Sequence, residues 1–267
     1  VWVTNIGWFV TGPFDRFPLW LLLGGTIVVL LLAVEGGYRL GGYRRRHSEQ
    51  EQGAHVLALV TATMGLLALV LAFTFSLAAA RFEARKQMVV DEANAIQTTY
   101  LRAGLLSSDR GAKVRELLRE YVELRLVPMG ADGIEQAMKR SEEVHRELWK
   151  EAESAAREQP GSFAVELFIQ SLNRTIELHA MRVKVAVRGA IPGVLWAALF
   201  VVAVLNLAAI GYHAGMVGTR RSPTIATVVM SLSIVLMLTA DLDRPQEGVL
   251  NVSQQAMIDL RRTMEHR

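Results

Sequence analysis

Four stretches of this chain carry no Asp, Glu, Lys or Arg, and each is bounded by charge or proline. They run from Leu19 to Val34, Ala54 to Ala80, Gly189 to Gly218 and Pro223 to Ala240, and they are followed by Glu35, Arg81, the Arg220 and Arg221 pair, and Asp241. A helix satisfies its own backbone amides in lipid, whereas an open strand leaves them bare. Spanning a bilayer core takes roughly 20 apolar residues, so the first stretch, at about 16, is short and relies on tilt or on Trp20 as an anchor. The pattern predicts an all-α membrane protein with four transmembrane helices. An even number of spans puts both termini, and everything between the second and third spans, on one side of the membrane.

The remaining charge is concentrated. Of the 55 Asp, Glu, Lys and Arg residues, 35 fall between Arg81 and Arg188, divided into 17 acidic and 18 basic. The chain has no cysteine, which excludes disulfides, thiolate metal sites and a cysteine nucleophile. A net charge of +3 and the absence of a basic groove interleaved with aromatics argue against nucleic acid as a partner. Val1 to Phe17 has no basic n-region, so it reads as an interfacial segment of Trp2, Trp8, Phe9, Phe14 and Phe17 rather than a signal peptide.

The charged block is helical by its periodicity. Phe82, Val89, Ala93, Ile96 and Tyr100 repeat at sevens, fours and threes, and no Gly or Pro separates them from the second span. One helix is therefore expected from about Ala54 to about Leu106. Ser107, Ser108 and Asp109 open a second, with Val114, Leu117, Leu118, Tyr121 and Leu124 on its face. Pro128, Gly130 and Gly133 break the chain before a third helix bearing Ile134, Met138, Val144, Leu148 and Ala152. Pro160-Gly161-Ser162 precedes a fourth, with Ile169, Leu172, Ile176, His179 and Val183. Gly189 and Pro192 mark a kink where it meets the third span. The expected division is 1–80 for the interfacial segment and first two spans, 81–188 for a helical soluble region into which the second and third spans extend, 189–240 for the last two spans, and 241–267 for a C-terminal tail.

Enzymatic patterns are absent. Glu143-Val144-His145 and Glu177-Leu178-His179 do not put two metal ligands one helical turn apart. The paired glycines Gly24-Gly25, Gly36-Gly37 and Gly41-Gly42 follow no strand, so they suit close helix approach rather than phosphate binding. Acidic pairs such as Glu142-Glu143 lie on solvated helix faces. His55 and His213 have no acidic partner at membrane depth. No catalytic residue, metal or cofactor is expected.

The second span holds the sharpest signal. Ala62, Leu66, Leu69, Phe73, Ser76 and Ala80 form one stripe at spacings of four and three. On a single helix this is ordinary packing or a lipid face. Around a symmetry axis it is a hydrophobic constriction at Leu66, Leu69 and Phe73 with a small polar exit at Ser76, and such constrictions gate by dewetting.

The same region carries a resemblance. Leu71-Ala72-Phe73-Thr74-Phe75-Ser76-Leu77-Ala78-Ala79-Ala80-Arg81-Phe82 is similar to the bestrophin stretch LGFYVTLVVTRW, and Leu242-Asp243-Arg244-Pro245-Gln246-Glu247 resembles the bestrophin NPFGED turn after the fourth span. Over most of its length the chain looks like the bacterial bestrophin-like membrane proteins, with Glu92-Ala93-Asn94-Ala95-Ile96 and Leu242-Asp243-Arg244-Pro245 as recurrent signatures. The resemblance implies a bestrophin-like fold and a homo-oligomeric, pentameric ion channel in the bacterial inner membrane. Its partners would be further copies of itself, the bilayer and permeant inorganic ions, and its helical region would lie in the cytoplasm.

The neck would be Leu66, Leu69 and Phe73 with Ala62 and Ser76, and the mouth charges Arg81, Arg85, Asp91 and Glu92. Asp241, Asp243, Pro245 and Glu247 would form the turn after the fourth span. Here the pattern departs from bestrophins, because only Glu247 is acidic after Pro245 and a calcium clasp is not implied. The short-loop arginines Arg39, Arg44, Arg45, Arg46, Arg220 and Arg221 point toward the opposite orientation. A non-conducting helical scaffold or sensor is the alternative function.

Overall fold

The structure, a computed structural model, describes residues 18–47, 53–127, 131–188, 191–219, 223–244 and 250–266. Those residues are helical or lie in short connections, with no strand among them. The expected interfacial segment, and Pro245 and Glu247 of the turn, lie outside the described residues. The chain forms two compact units, one from the chain up to Phe82 with Val187–Asn251, the other from Glu83–Ala186 with the chain from Val252 onward.

The first unit contains four helices long and apolar enough to cross a membrane. They are α1 (Leu19–His47), the first part of α2 (Gly53–Ala103), α6 (Gly193–Val217) and α7 (Pro223–Asp243). Their core is Leu30, Val34, Leu67, Ala78, Trp196, Leu199, Ala203, Leu207, Val229 and Leu236. Helix α1 continues well past the uncharged run, so Arg39, Arg44, Arg45 and Arg46, expected in a loop, are helical. An i,i+4 pair of Glu35 and Arg39 at 2.8 Å supports the extension. The basic last turn also complements the helix dipole.

The α1–α6 contact is made of backbone. A Cβ on Gly37 would overlap the Ala208 carbonyl, one on Gly211 the Val34 carbonyl, and Gly41 and Gly215 are enclosed in the same way. Each helix thus presents two glycines four residues apart, a spacing that lets membrane helices approach closely. Gly24, Gly25, Gly36 and Gly42 face open space.

Helix α2 runs unbroken for 51 residues, roughly 75 Å at 1.5 Å per residue, within three residues of the expected end. Its distal part joins α3 (Ser108–Leu126), α4 (Ala131–Glu158), α5 (Phe163–Arg188) and α8 (Gln255–Glu265) in the second unit. The core there includes Val89, Ile96, Tyr100, Val114, Leu118, Tyr121, Val144, Leu148, Phe168 and Leu172, which are largely the faces read from the sequence. Within the expected C-terminal tail lies helix α8, whose Met257, Leu260 and Met264, three and four apart, are buried in this core.

The near-balance of charge in this unit appears as ion pairs. Arg140 bridges Glu120, Glu143 and Glu147, and Glu151 receives both Lys113 and Arg110. The Arg140 pairs, exposed on both sides, contribute little individually. Between α4 and α5 the chain turns through Gly161, whose φ of 77° an L side chain rarely adopts. Helix α5 stops at Arg188 and α6 restarts at Gly193 behind Pro192, so the expected kink is an interruption. Proline has no N–H and disfavours helix in the residue before it.

Candidate functional site

Helix α2 has two different faces within the first unit. Val60, Leu67, Thr74 and Ala78 are buried against its own subunit. The expected stripe lies elsewhere on the helix: Leu66, Leu69 and Phe73 are 52%, 53% and 68% exposed, and Ala62, Ser76 and Ala80 are exposed with them. Thr74 returns its hydroxyl to the Val70 carbonyl at 2.8 Å and stays off this face. The chain's own packing therefore leaves a long apolar stripe ending in a serine uncovered.

At the end of α7 the two described carboxylates of the expected turn are buried and occupied. Asp243 accepts the Ile191 N–H on both oxygens, at 2.9 and 3.0 Å, and the Trp196 indole N–H at 3.4 Å. Arg81 Nη1 lies 3.7 Å from Asp243 Oδ1. Asp241 Oδ2 accepts the Leu250 N–H at 3.1 Å. Asp243 thus satisfies an N–H exposed by the interruption before Pro192, and it ties α2, α6 and α7 together. Replacing Asp243 with Ala deprives that buried N–H of its acceptor and is expected to cost about 1–3 kcal/mol. Thermal unfolding in detergent measures the loss, and Asp243→Asn, which keeps one carbonyl oxygen, should recover part of it.

The four residues expected as mouth charges have different environments. Arg81 is turned to Asp243 and is partly buried. Arg85 is intermediate in exposure. Asp91 accepts from the Gln87 amide at 2.9 Å and lines an open polar groove with Asn94, Thr98, Arg102, Arg174 and Glu177. Glu92 is fully buried and belongs to the core of the second unit. Two guanidiniums account for its inward position: Arg182 Nη1 donates to Oε2 at 2.5 Å, and Arg125 Nε lies 3.2 Å from Oε1.

Glu92 is also one end of a chain of polar groups that the sequence did not disclose. The Tyr121 hydroxyl donates to Glu92 Oε1 at 2.6 Å, and the Tyr121 hydroxyl oxygen itself lies 3.0 Å from His179 Nδ1. Because the phenol proton goes to the carboxylate, His179 donates from Nδ1. Burial pushes the Tyr121 phenol well above its usual range, which keeps that proton in place. His145 packs on both rings, with centroids 4.7 Å from Tyr121 and 4.8 Å from His179, the latter edge to face. Its Nε2 is buried with no hydrogen-bond partner. Helices α2, α3, α4 and α5 each supply one ring or carboxylate to the cluster. The available signal is a repeated Glu-x-His, at Glu143 to His145 and at Glu177 to His179, of which the histidines are buried and the glutamates exposed.

The described residues hold no group of three or more His, Cys, Asp or Glu arranged to bind a metal. The family model for the Bestrophin-like domain matches residues 27–257. Among solved structures, the crystal structure of a bacterial bestrophin homologue from Klebsiella pneumoniae is similar at 15% identity with a TM-score of 0.65, covering 93% of this chain and 98% of that one. A second structure of that homologue, carrying a point mutation, has a TM-score of 0.63 at the same identity and coverage. At that identity the likeness shows a common fold. No curated protein sequence matches the chain.

Proposed function

The chain belongs to the Bestrophin-like family, and from that membership we propose that it is a homo-oligomeric ion channel whose neck is formed by α2. The observation that carries the reading is the exposure of Leu66, Leu69 and Phe73 on a helix whose other face is packed. Several copies arranged about an axis, five on the bestrophin pattern, would turn that stripe into a ring of bulky apolar side chains. A ring of this kind excludes water, and therefore ions, until it widens. Ala62 and Ser76 would flank the ring, and Arg81, Arg85 and Asp91 would bias the ions reaching it. Asp241 and Asp243, at the end of α7, would anchor the turn that follows the fourth span with Pro245 and Glu247. The helical unit would lie in the cytoplasm of a cell whose inner membrane holds the spans.

Ion flux from liposomes loaded with potassium chloride tests the proposal. Native protein should give a measurable leak, and Leu69→Ala combined with Phe73→Ala should raise it several-fold by removing the apolar ring. Vesicles that stay tight with both forms would reject a channel and favour a membrane-anchored scaffold or sensor. Orientation has its own readout, because the chain has no cysteine. A single Ser108→Cys, at an exposed position of the helical unit, should stay unlabelled by an impermeant thiol reagent in intact cells and react after lysis.

A further inference from the structure

We propose that the buried cluster of His145, His179, Tyr121 and Glu92 is a proton-operated switch in the helical unit, in which protonation of the histidine pair releases α4 from the helices around it. The inference concerns the helical unit alone and stands whether or not the chain conducts.

The geometry makes the pair a poor place for a proton. Facing it are Glu92 from α2, Tyr121 and Arg125 from α3, and His179 with Arg182 from α5; His145 is the titratable contribution of α4. Helix α8 turns its Met264 carbonyl to Tyr100 and Arg119 instead. Two guanidiniums thus already outnumber the one carboxylate, and that carboxylate is engaged by Arg125, Arg182 and the phenol. His145 Nε2 has no acceptor to receive a proton's hydrogen bond. His179 already uses Nδ1 toward Tyr121, so a second proton on its ring adds charge without relieving any unmet group.

Both rings are 7% exposed, and burial, reinforced by Arg125 and by the neighbouring histidine in the case of His145, holds each at about 4 against an ordinary value of 6.5. The sign follows from that order. The released state binds protons first as pH falls through about 6.5, whereas the packed state resists until about 4. Packing is therefore at full strength above the ordinary histidine range and is lost progressively below it. His145 is the element that moves, because it is the cluster's one group on α4 and makes no hydrogen bond from Nε2.

Hydrogen exchange of the full-length protein in detergent or nanodiscs, corrected for intrinsic rate, reads the switch directly. For one histidine passing from about 4 to 6.5 on release, linkage gives about twentyfold less protection at pH 5 than at pH 7. The loss should centre on 136–158. His145→Asn, which removes the titrating ring and leaves the His179, Tyr121 and Glu92 chain, should match native protection at neutral pH and lose most of the acid response. His179→Asn, whose amide can still donate to the Tyr121 oxygen, is the second variant and should reduce the response likewise. Native protection that stays flat down to pH 5 overturns the proposal without any variant. An acid response of native size in a folded variant lacking either histidine assigns the sensing to other groups and overturns it too.

Discussion

Alanine in place of Glu92 is expected to cost the helical unit about 3–5 kcal/mol, because it leaves buried cations without their counter-charge. Side chains of Arg125 and Arg182 are 12% and 17% exposed and converge on that carboxylate. Removing it also strips the Tyr121 hydroxyl of its acceptor at 2.6 Å. Against a typical domain stability of about 5–15 kcal/mol, the loss approaches unfolding at ambient temperature. Glu92→Gln, which preserves shape and one hydrogen-bond acceptor, should fall between native and alanine. The counter-test is a double variant: Arg182→Met added to Glu92→Ala should restore part of the loss, since one of the unpaired charges is then gone. Chemical denaturation followed by circular dichroism would contradict this account of the cluster if Glu92→Ala sat within about 1 kcal/mol of native.

Leucine at Gly37 or Gly211 should prevent the first unit from packing at all. At either site the added Cβ meets a main-chain carbonyl, of Ala208 or Val34, and a helix backbone cannot rotate away as a side chain would. Overpacking a side-chain core costs about 1–3 kcal/mol; here the two helices must separate, giving up the close contact along α1 and α6. Gly24→Leu is the control, because nothing lies within 4 Å of its Cβ position. Yield of monodisperse protein after size exclusion distinguishes them. Equal recovery of Gly37→Leu and Gly24→Leu would show that the α1–α6 contact is looser than its backbone geometry indicates.

These two sites mark what a linear reading can reach. Spans and soluble helices were legible because each depends on local periodicity: charge is excluded where lipid must be, and apolar residues return every three or four positions. The glycines of α1 were read as suited to close approach, but only the structure separates Gly37 and Gly41, which are enclosed, from Gly36 and Gly42, which are open. Their partners Gly211 and Gly215 lie far along the chain, and no pattern within α1 points to them. Glu92 illustrates the other limit. Its charge beyond a membrane span points to the mouth, yet its position beside Val89, Ala93 and Ile96 places it on the packed face of α2. The pairing that makes burial tolerable joins it to Tyr121, Arg125 and Arg182 across 29 to 90 residues. The extra length of α1 is hidden by its charges, which mark the end of the apolar run but not of the helix, since arginines suit a helix C-terminus.

Helix α8 carries a consequence for how the chain is made. It seals the core of the helical unit with Met257, Leu260 and Met264, and the Met264 carbonyl takes up Tyr100 and Arg119. A ribosome adding about 5–20 residues per second needs on the order of ten seconds between finishing α3 and reaching α8, an interval in which α6 and α7 must also enter the membrane. Until α8 is made, the apolar floor beneath Tyr100 and Leu118 is uncapped. Completion of the unit therefore waits on residues made after all four membrane spans, and nascent chains stalled before α8 would present that floor to chaperones and proteases while their spans are already in place.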